Sequence, residues 1–155
     1  MTREEKVKQD LSGRFAFLEN KISVPRQRRI SVEVEYAQFT SVFEYIVREA
    51  GFTVLCAITG IDEGRIFAII YHLAGEGGAV LNLKTGVPRD NPVIRSITGY
   101  FSGAEIYERE MVDLLGIKVE GLKDGKRYPL PDDWPNGQYP LRKDFDPAKL
   151  KKENK

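Results

Sequence analysis

The residues best suited to chemistry lie in one charged stretch, Tyr107-Glu108-Arg109-Glu110-Met111-Val112-Asp113-Leu114-Leu115-Gly116-Ile117. Read as a helix, it places Glu110 and Asp113 three residues apart on one face, and Arg109 four residues before Asp113, where the two can pair. Two carboxylates on one face can carry out general acid–base work. The alternative is an ion-pair network that fixes this helix against a sheet or a partner, and that is the reading adopted here. His72 is the sole histidine and Cys56 the sole cysteine. His72 follows the apolar run Phe67-Ala68-Ile69-Ile70-Tyr71 with no nucleophile local to it, so we read it as a histidine at a strand end, hydrogen-bonded to backbone. Cys56 sits in an apolar strand and reads as a small buried hydrophobe. Gly75, Gly77 and Gly78 lack the Lys-Ser/Thr pair and the following helix of a phosphate-cradling loop, so they read as a turn.

The elements that must position these residues follow from periodicity. Val7, Leu11, Phe15 and Leu18 recur at helical spacing, so residues 3–19 form a helix. Pro25 and the basic run Arg26-Gln27-Arg28-Arg29 make a connector. Ile30, Val32, Val34 and Tyr36 alternate with polar residues as a half-buried strand. Residues 40–50 form a helix with a capping box from Ser41 and Glu44, closed by Gly51. Residues 53–61 and 65–73 form a β-hairpin across Asp62-Glu63-Gly64, and 79–84 a further strand. A short helix is expected over 93–97, and a longer one over 103–115 ending at Gly116.

Beyond residue 120 the character changes, because five of the eight prolines lie at 129, 131, 135, 140 and 147. Proline removes a backbone donor and biases its predecessor toward extended geometry. Residues 121–147 are therefore expected to form an irregular arm, in which the anchors Tyr128, Trp134, Tyr139 and Phe145 alternate with charged pairs. Its backbone groups need a surface to satisfy them. That surface is either a partner protein, for which Trp, Tyr and Arg are apt, or the chain's own domain; spacing leaves the two open. Stacking on single-stranded nucleic acid is opposed by Asp132, Asp133, Asp144 and Asp146, which would face phosphates.

Composition removes other classes. The net charge is +1, with 41% hydrophobic and 30% charged residues, so no single-sign field draws the chain to nucleic acid or lipid. No apolar run approaches the roughly 20 residues of a membrane span, and the charged start is unlike a signal peptide. A cytoplasmic protein is expected, meeting a membrane only through partners. One cysteine permits no internal disulfide, and one chain with one cysteine and one histidine cannot supply a four-thiolate cluster or zinc site.

Glu108-Arg109-Glu110, Asp113 and Gly116-Ile117, followed by Pro131-Asp132-Asp133-Trp134 and Pro140-Leu141-Arg142-Lys143-Asp144-Phe145, closely resemble the signature of the 30 kDa subunit family of complex I. Ile58-Thr59-Gly60-Ile61-Asp62, Tyr71-His72-Leu73 and Asp90-Asn91-Pro92-Val93 with Ile97-Thr98 extend the resemblance over roughly residues 28–147. The family's Gly-His-Pro-Asp-Leu-Arg-Arg stretch is replaced by Gly121-Leu122-Lys123-Asp124-Gly125-Lys126-Arg127. It keeps the second arginine as Arg127, has Lys126 for the first, and lacks the histidine; lysine has no planar fork for bidentate contacts. Trp134-Pro135 with Asn136-Gly137-Gln138-Tyr139-Pro140 looks more like the branch found in membrane-bound nickel–iron hydrogenases.

The resemblance implies an α+β fold: a mixed sheet of about four strands, flanking helices and an extended Pro-rich arm. It implies an N-terminal helix and connector over 1–24, a core over 25–120, a docking arm over 121–147 and a basic tail over 148–155. The implied role is a non-catalytic scaffold with no cofactor of its own, peripheral to the membrane. It would pack on a large catalytic subunit and a small iron–sulfur subunit, and reach the membrane arm only indirectly. The nickel–iron centre and the clusters would lie in those partners. Glu108, Arg109 and Asp113 would stabilise the arm's root, and Trp134, Arg142, Lys143 and Asp144 would carry docking contacts. Glu110, Arg127, Asp132, Asp133, Tyr139 and Phe145 complete the expected interface. The alternatives are the corresponding subunit of an NADH/quinone-type dehydrogenase, and a free-standing acid–base enzyme using Glu110, Asp113 and His72.

Overall fold

The computed structural model describes residues 1–150. The part of the basic tail at 151–155 lies outside the described residues. The chain divides into two compact units, Met1–Thr59 with Ile69–Gly86, and Gly60–Ala68 with the chain from Val87 onward.

In the first unit, helix α1 (Arg3–Arg14) leads through a short 3-10 turn into strands β1 (Ile22–Arg26) and β2 (Arg29–Glu33). The expected helix over 3–19 breaks at Phe15, whose N–H still bonds Leu11. The capping box lies here, between Thr2 and Glu5. Helix α2 (Tyr36–Arg48) starts four residues earlier than expected, so Ser41 is inside it and donates to the Gln38 carbonyl. Ser41 and Glu44 form no cap. The expected connector at Pro25 is part of β1, an edge strand where a residue without an N–H costs no ladder bond.

Strands β3 (Val54–Asp62), β4 (Ile66–Ala74) and β5 (Val80–Pro88) complete a five-stranded sheet in the order β1-β2-β5-β4-β3. β1 runs antiparallel to β2, and β2 parallel to β5 with Ile30 opposite Leu81 and Val32 opposite Leu83. The sheet is therefore mixed, with one strand more than expected. Its core face carries Ile30, Val32, Leu81, Leu83 and Tyr71. Phe39 and Phe43 of α2 stack at 5.3 Å between centroids, and Tyr71 of β4 lies 4.7 Å and 5.9 Å from them.

In the second unit, β6 (Val93–Arg95) and β7 (Lys118–Glu120) pair in parallel beside helix α3 (Ala104–Leu115). Residues 93–95 are thus strand where a helix was expected; Val93 and Ile94 favour a pleated surface. α3 ends as expected at Gly116, which adopts the left-handed conformation at φ 71°. Residues 121–146 contain no helix or strand, and a 3-10 turn covers Pro147–Lys149. Among the described residues no helix is long and apolar enough to cross a membrane.

Candidate functional site

The C-terminal third is anchored within its own unit by carboxylates, arginines and the end of α3, rather than extending as a free arm. A helix leaves its last carbonyls without intrahelical donors. Two of those on α3 are met from residues 141 and 142. The Leu141 N–H donates to the Leu114 carbonyl at 3.0 Å, and Arg142 Nε donates to the Leu115 carbonyl at 2.7 Å. A cation there also complements the negative end of the helix dipole. The Arg142 guanidinium lies over the Tyr139 ring at 4.3 Å and the Phe67 ring at 5.2 Å. Gly116 makes this seat possible: a Cβ there would lie 2.5 Å from Tyr139 Cζ and 2.7 Å from Arg142 Nη2.

Asp62 is the second anchor. It is 5% exposed and binds Arg89, while its oxygens accept the N–H of Gly64 at 2.8 Å and of Lys143 at 2.9 Å. Arg89 bridges onward to Asp144 at 2.6 Å and lies over Phe67 at 5.3 Å. Burial alone would push the Asp62 carboxyl up. The Arg89 guanidinium and the two N–H donors outweigh it and hold the group at about 2.

Asp113 is the third anchor. It accepts from Arg127 Nε at 3.2 Å and from the Leu130 N–H at 3.1 Å. Arg127 Nη1 continues to the Trp134 carbonyl at 2.6 Å. The indole N–H of Trp134 donates to the Gln138 carbonyl at 2.7 Å, and its ring stacks on Phe145 at 6.3 Å. The Tyr128–Pro129 bond is cis.

Glu108 is 1% exposed and braces β6: Ser96 Oγ and the Ile97 N–H each donate to it at 2.7 Å. Burial pushes its carboxyl above the ordinary value, against the pull of those two donors.

Several expectations need correction. Arg109 pairs with Glu105 at 2.8 Å and the Lys123 carbonyl at 2.7 Å, not with Asp113. Its guanidinium is aimed back along α3, and Asp113 is taken by Arg127 instead. The Glu110 side chain makes no hydrogen bond or ion pair among the described residues, while its backbone belongs to α3. His72 lies inside β4, not at its end, and its ring nitrogens meet side chains rather than backbone: Thr59 Oγ1 and Asn82 Oδ1, each at 2.8 Å. Cys56 is exposed, because β3 is an edge strand and the residue alternates away from Leu55 and Ala57.

Of the expected interface residues, Glu108, Arg109, Asp113, Arg127, Arg142, Trp134, Tyr139 and Phe145 make contacts within the unit, Asp144 is exposed but pairs with Arg89, Glu110 is half-buried, and Asp132, Asp133 and the Lys143 side chain face solvent. Sequence reasoning missed Asp62 and Arg89 as anchors. Asp62 reads as a turn residue, and nothing local ties it to partners 27 and 81 positions away.

Comparisons with known proteins agree on the assignment. The sequence matches the family described as respiratory-chain NADH dehydrogenase, 30 Kd subunit, over residues 8–151. It is 33% identical over 141 residues to a subunit of the F(420)H(2) dehydrogenase of Methanosarcina mazei, covering 89% of each chain. It is 28% identical over 150 residues to the membrane-bound hydrogenase subunit beta of Pyrococcus furiosus, covering 93% of this chain and 87% of that one. A chain in the structure of the membrane-bound sulfane sulfur reductase, an archaeal respiratory membrane complex, superposes with a TM-score of 0.82 at 27% identity. That match covers 98% of this chain and 91% of the other. These relatives are subunits of multi-subunit oxidoreductase complexes.

Proposed function

We propose, from the premise that this chain belongs to the 30 kDa subunit family of respiratory-chain NADH dehydrogenase, that it is a non-catalytic scaffold subunit of a membrane-bound, complex I-like oxidoreductase of the hydrogenase type. It docks on the large catalytic subunit, touches the small iron–sulfur subunit, and sits on the cytoplasmic side, reaching the membrane arm only through them. It binds no nucleic acid. The nickel–iron centre and the clusters belong to the partners, and electron transfer coupled to ion translocation is theirs.

The observation that carries this reading is the use of the acidic groups. Glu108, Asp113 and Asp62 are each committed to holding the chain's own backbone and arginines. A general acid or base must reach a substrate proton, and these three face inward. Asp132, Asp133 and Lys143 are among the residues of the same segment that face outward, beside a rigidly seated aromatic cluster. Rigid presentation lowers the entropy lost on docking.

The test is recovery of partners through an affinity tag on this chain from a detergent extract of the native membranes. The large and small subunits are expected with the wild-type chain. Asp132→Lys with Asp133→Lys is expected to reduce that recovery at least tenfold, with an unchanged thermal midpoint. Recovery of the chain alone in the wild-type experiment would sink the scaffold reading.

A second reading, a dehydrogenase-type complex, is favoured by the 33% identity to a subunit of a dehydrogenase. Cysteine pairs of the nickel-binding kind in the co-purifying large subunit separate the two: present for the hydrogenase type, absent for the other.

A further inference from the structure

The tip of the β1–β2 hairpin concentrates exposed positive charge. From Lys21 to Arg29 there are four cations and no acid, in a chain whose net charge is only +1. Arg26 pairs across the ladder with Arg29, leaving Gln27 and Arg28 as a two-residue loop. Arg26, Gln27 and Arg28 are exposed. The Arg26 and Arg28 side chains make no ion pair within the described residues. Glu4 is buried, accepts the Arg28 backbone N–H and attracts the Arg28 guanidinium without forming an ion pair with it, and Glu5 closes the cap on Thr2.

Arg28 is also the single non-glycine residue with positive φ among the described residues, at 62°. Hairpin loops place Asn or Gly at such positions, because a Cβ crowds the carbonyl there. The conformation is held from outside: Glu4 takes the Arg28 N–H, and the Arg28 carbonyl accepts the Val80 N–H at 2.9 Å and Arg29 Nη1 at 2.8 Å. A strained position that a glycine would relax, fixed by three bonds and carrying a guanidinium without an ion-pair partner, is the pattern of a side chain retained for what it meets.

We propose that this tip is a docking element for a carboxylate-rich surface of a partner subunit, with Arg26 and Arg28 as the contacting residues. This rests on the reading of the chain as a docked subunit. A protein partner fits better than a bilayer. The tip is a two-residue loop, and the chain as a whole has a net charge of only +1 to draw it to an anionic plane. Guanidinium forks match carboxylates bidentately.

The test uses the tagged full chain in the complex. Wild-type recovery of the large subunit is the reference; its failure would count against the scaffold reading, not the hairpin. Given that recovery, Arg26→Glu with Arg28→Glu is expected to lower it at least tenfold at ordinary salt. Unchanged recovery overturns the hairpin proposal and leaves the scaffold reading standing. Arg28→Gly guards against misfolding: it should leave the thermal midpoint of the chain unchanged or higher while weakening recovery, a pair of signs that a merely structural role cannot give. A photo-cross-linker at Gln27 should capture a peptide of a complex subunit that carries Asp or Glu. Capture of lipid, or of a peptide without acids, overturns it.

Discussion

Each of the two compact units is stabilised by different physics. The first rests on apolar burial: Phe39, Phe43 and Tyr71 interlock, and Ile30, Val32, Leu81 and Leu83 line the sheet behind them. The second fixes its long irregular C-terminal segment by terminating hydrogen bonds on buried charge, at Asp62, Asp113 and the open end of α3. An irregular segment has no ladder of its own, so each backbone donor must be met individually. The difference is between a core that tolerates changes of volume poorly and an anchor that tolerates changes of charge poorly.

The largest effects should come from breaking each kind of support in turn. Phe43→Ala should cost about 3–5 kcal/mol, seen as a lower midpoint in urea unfolding followed by circular dichroism. Arg89→Ala leaves Asp62 buried with only two N–H donors and should cost about 3 kcal/mol. Trp134 is the sole tryptophan and lies in the second unit, so its fluorescence should report the Arg89 variant at lower urea than the wild type. Simultaneous loss of both signals at one midpoint in both variants would mean that the units unfold as one, and would erase the contrast.

Acidity sharpens the comparison further. Asp62 has its folded value lowered to about 2 from an unfolded value of 3.8. Its stabilisation is full above 3.8 and is lost as pH falls through about 2. Glu108 has its folded value raised from 4.5, so the stability linked to it is full below 4.5 and is lost as pH rises through the raised value. Asp62→Asn should flatten the acid limb of stability against pH. Glu108→Gln should flatten the limb above 4.5. Urea midpoints measured by Trp134 fluorescence, from acid to neutral pH, check both. The smallest effect is expected from Arg48→Ala: its pair with Glu44 spans 3.9 Å between side chains 66% and 40% exposed, and such pairs contribute below about 0.5 kcal/mol.

What is legible in the sequence follows the same division. Period-two alternation locates β2, apolar β-branched runs on either side of Asp62-Glu63-Gly64 locate the hairpin, the glycine turn at 75–78 locates the start of β5, and Gly116 locates the end of α3. These features are written within a few residues of one another. The strand at Val93–Arg95 escapes such a reading because three residues are too few to show a period. β1 is hidden because Pro25 breaks strands everywhere except at an edge. The anchoring of the C-terminal third is invisible for a different reason. Arg127 and Asp113 are 14 positions apart, and Asp62 and Lys143 are 81 apart. Pairings of that kind are set by the fold as a whole, not by a local pattern. Of the residues in the family signature, Glu108, Asp113, Arg127, Trp134 and Arg142 make hydrogen bonds inside the chain, and no local pattern foretells those bonds.

Asp62 has a consequence for how the protein is made. Its last donor, the Lys143 N–H, is synthesised 81 residues after it. At roughly 5–20 residues per second, the carboxylate waits about 4–16 s on the ribosome for that bond. During this interval the rim of the hairpin is already translated but not yet closed. The second unit is thus closed by two residues whose synthesis lies 81 positions apart. A nascent chain stalled short of residue 143 would carry nearly all its regular structure, and still lack the contact that locks Asp62 in place.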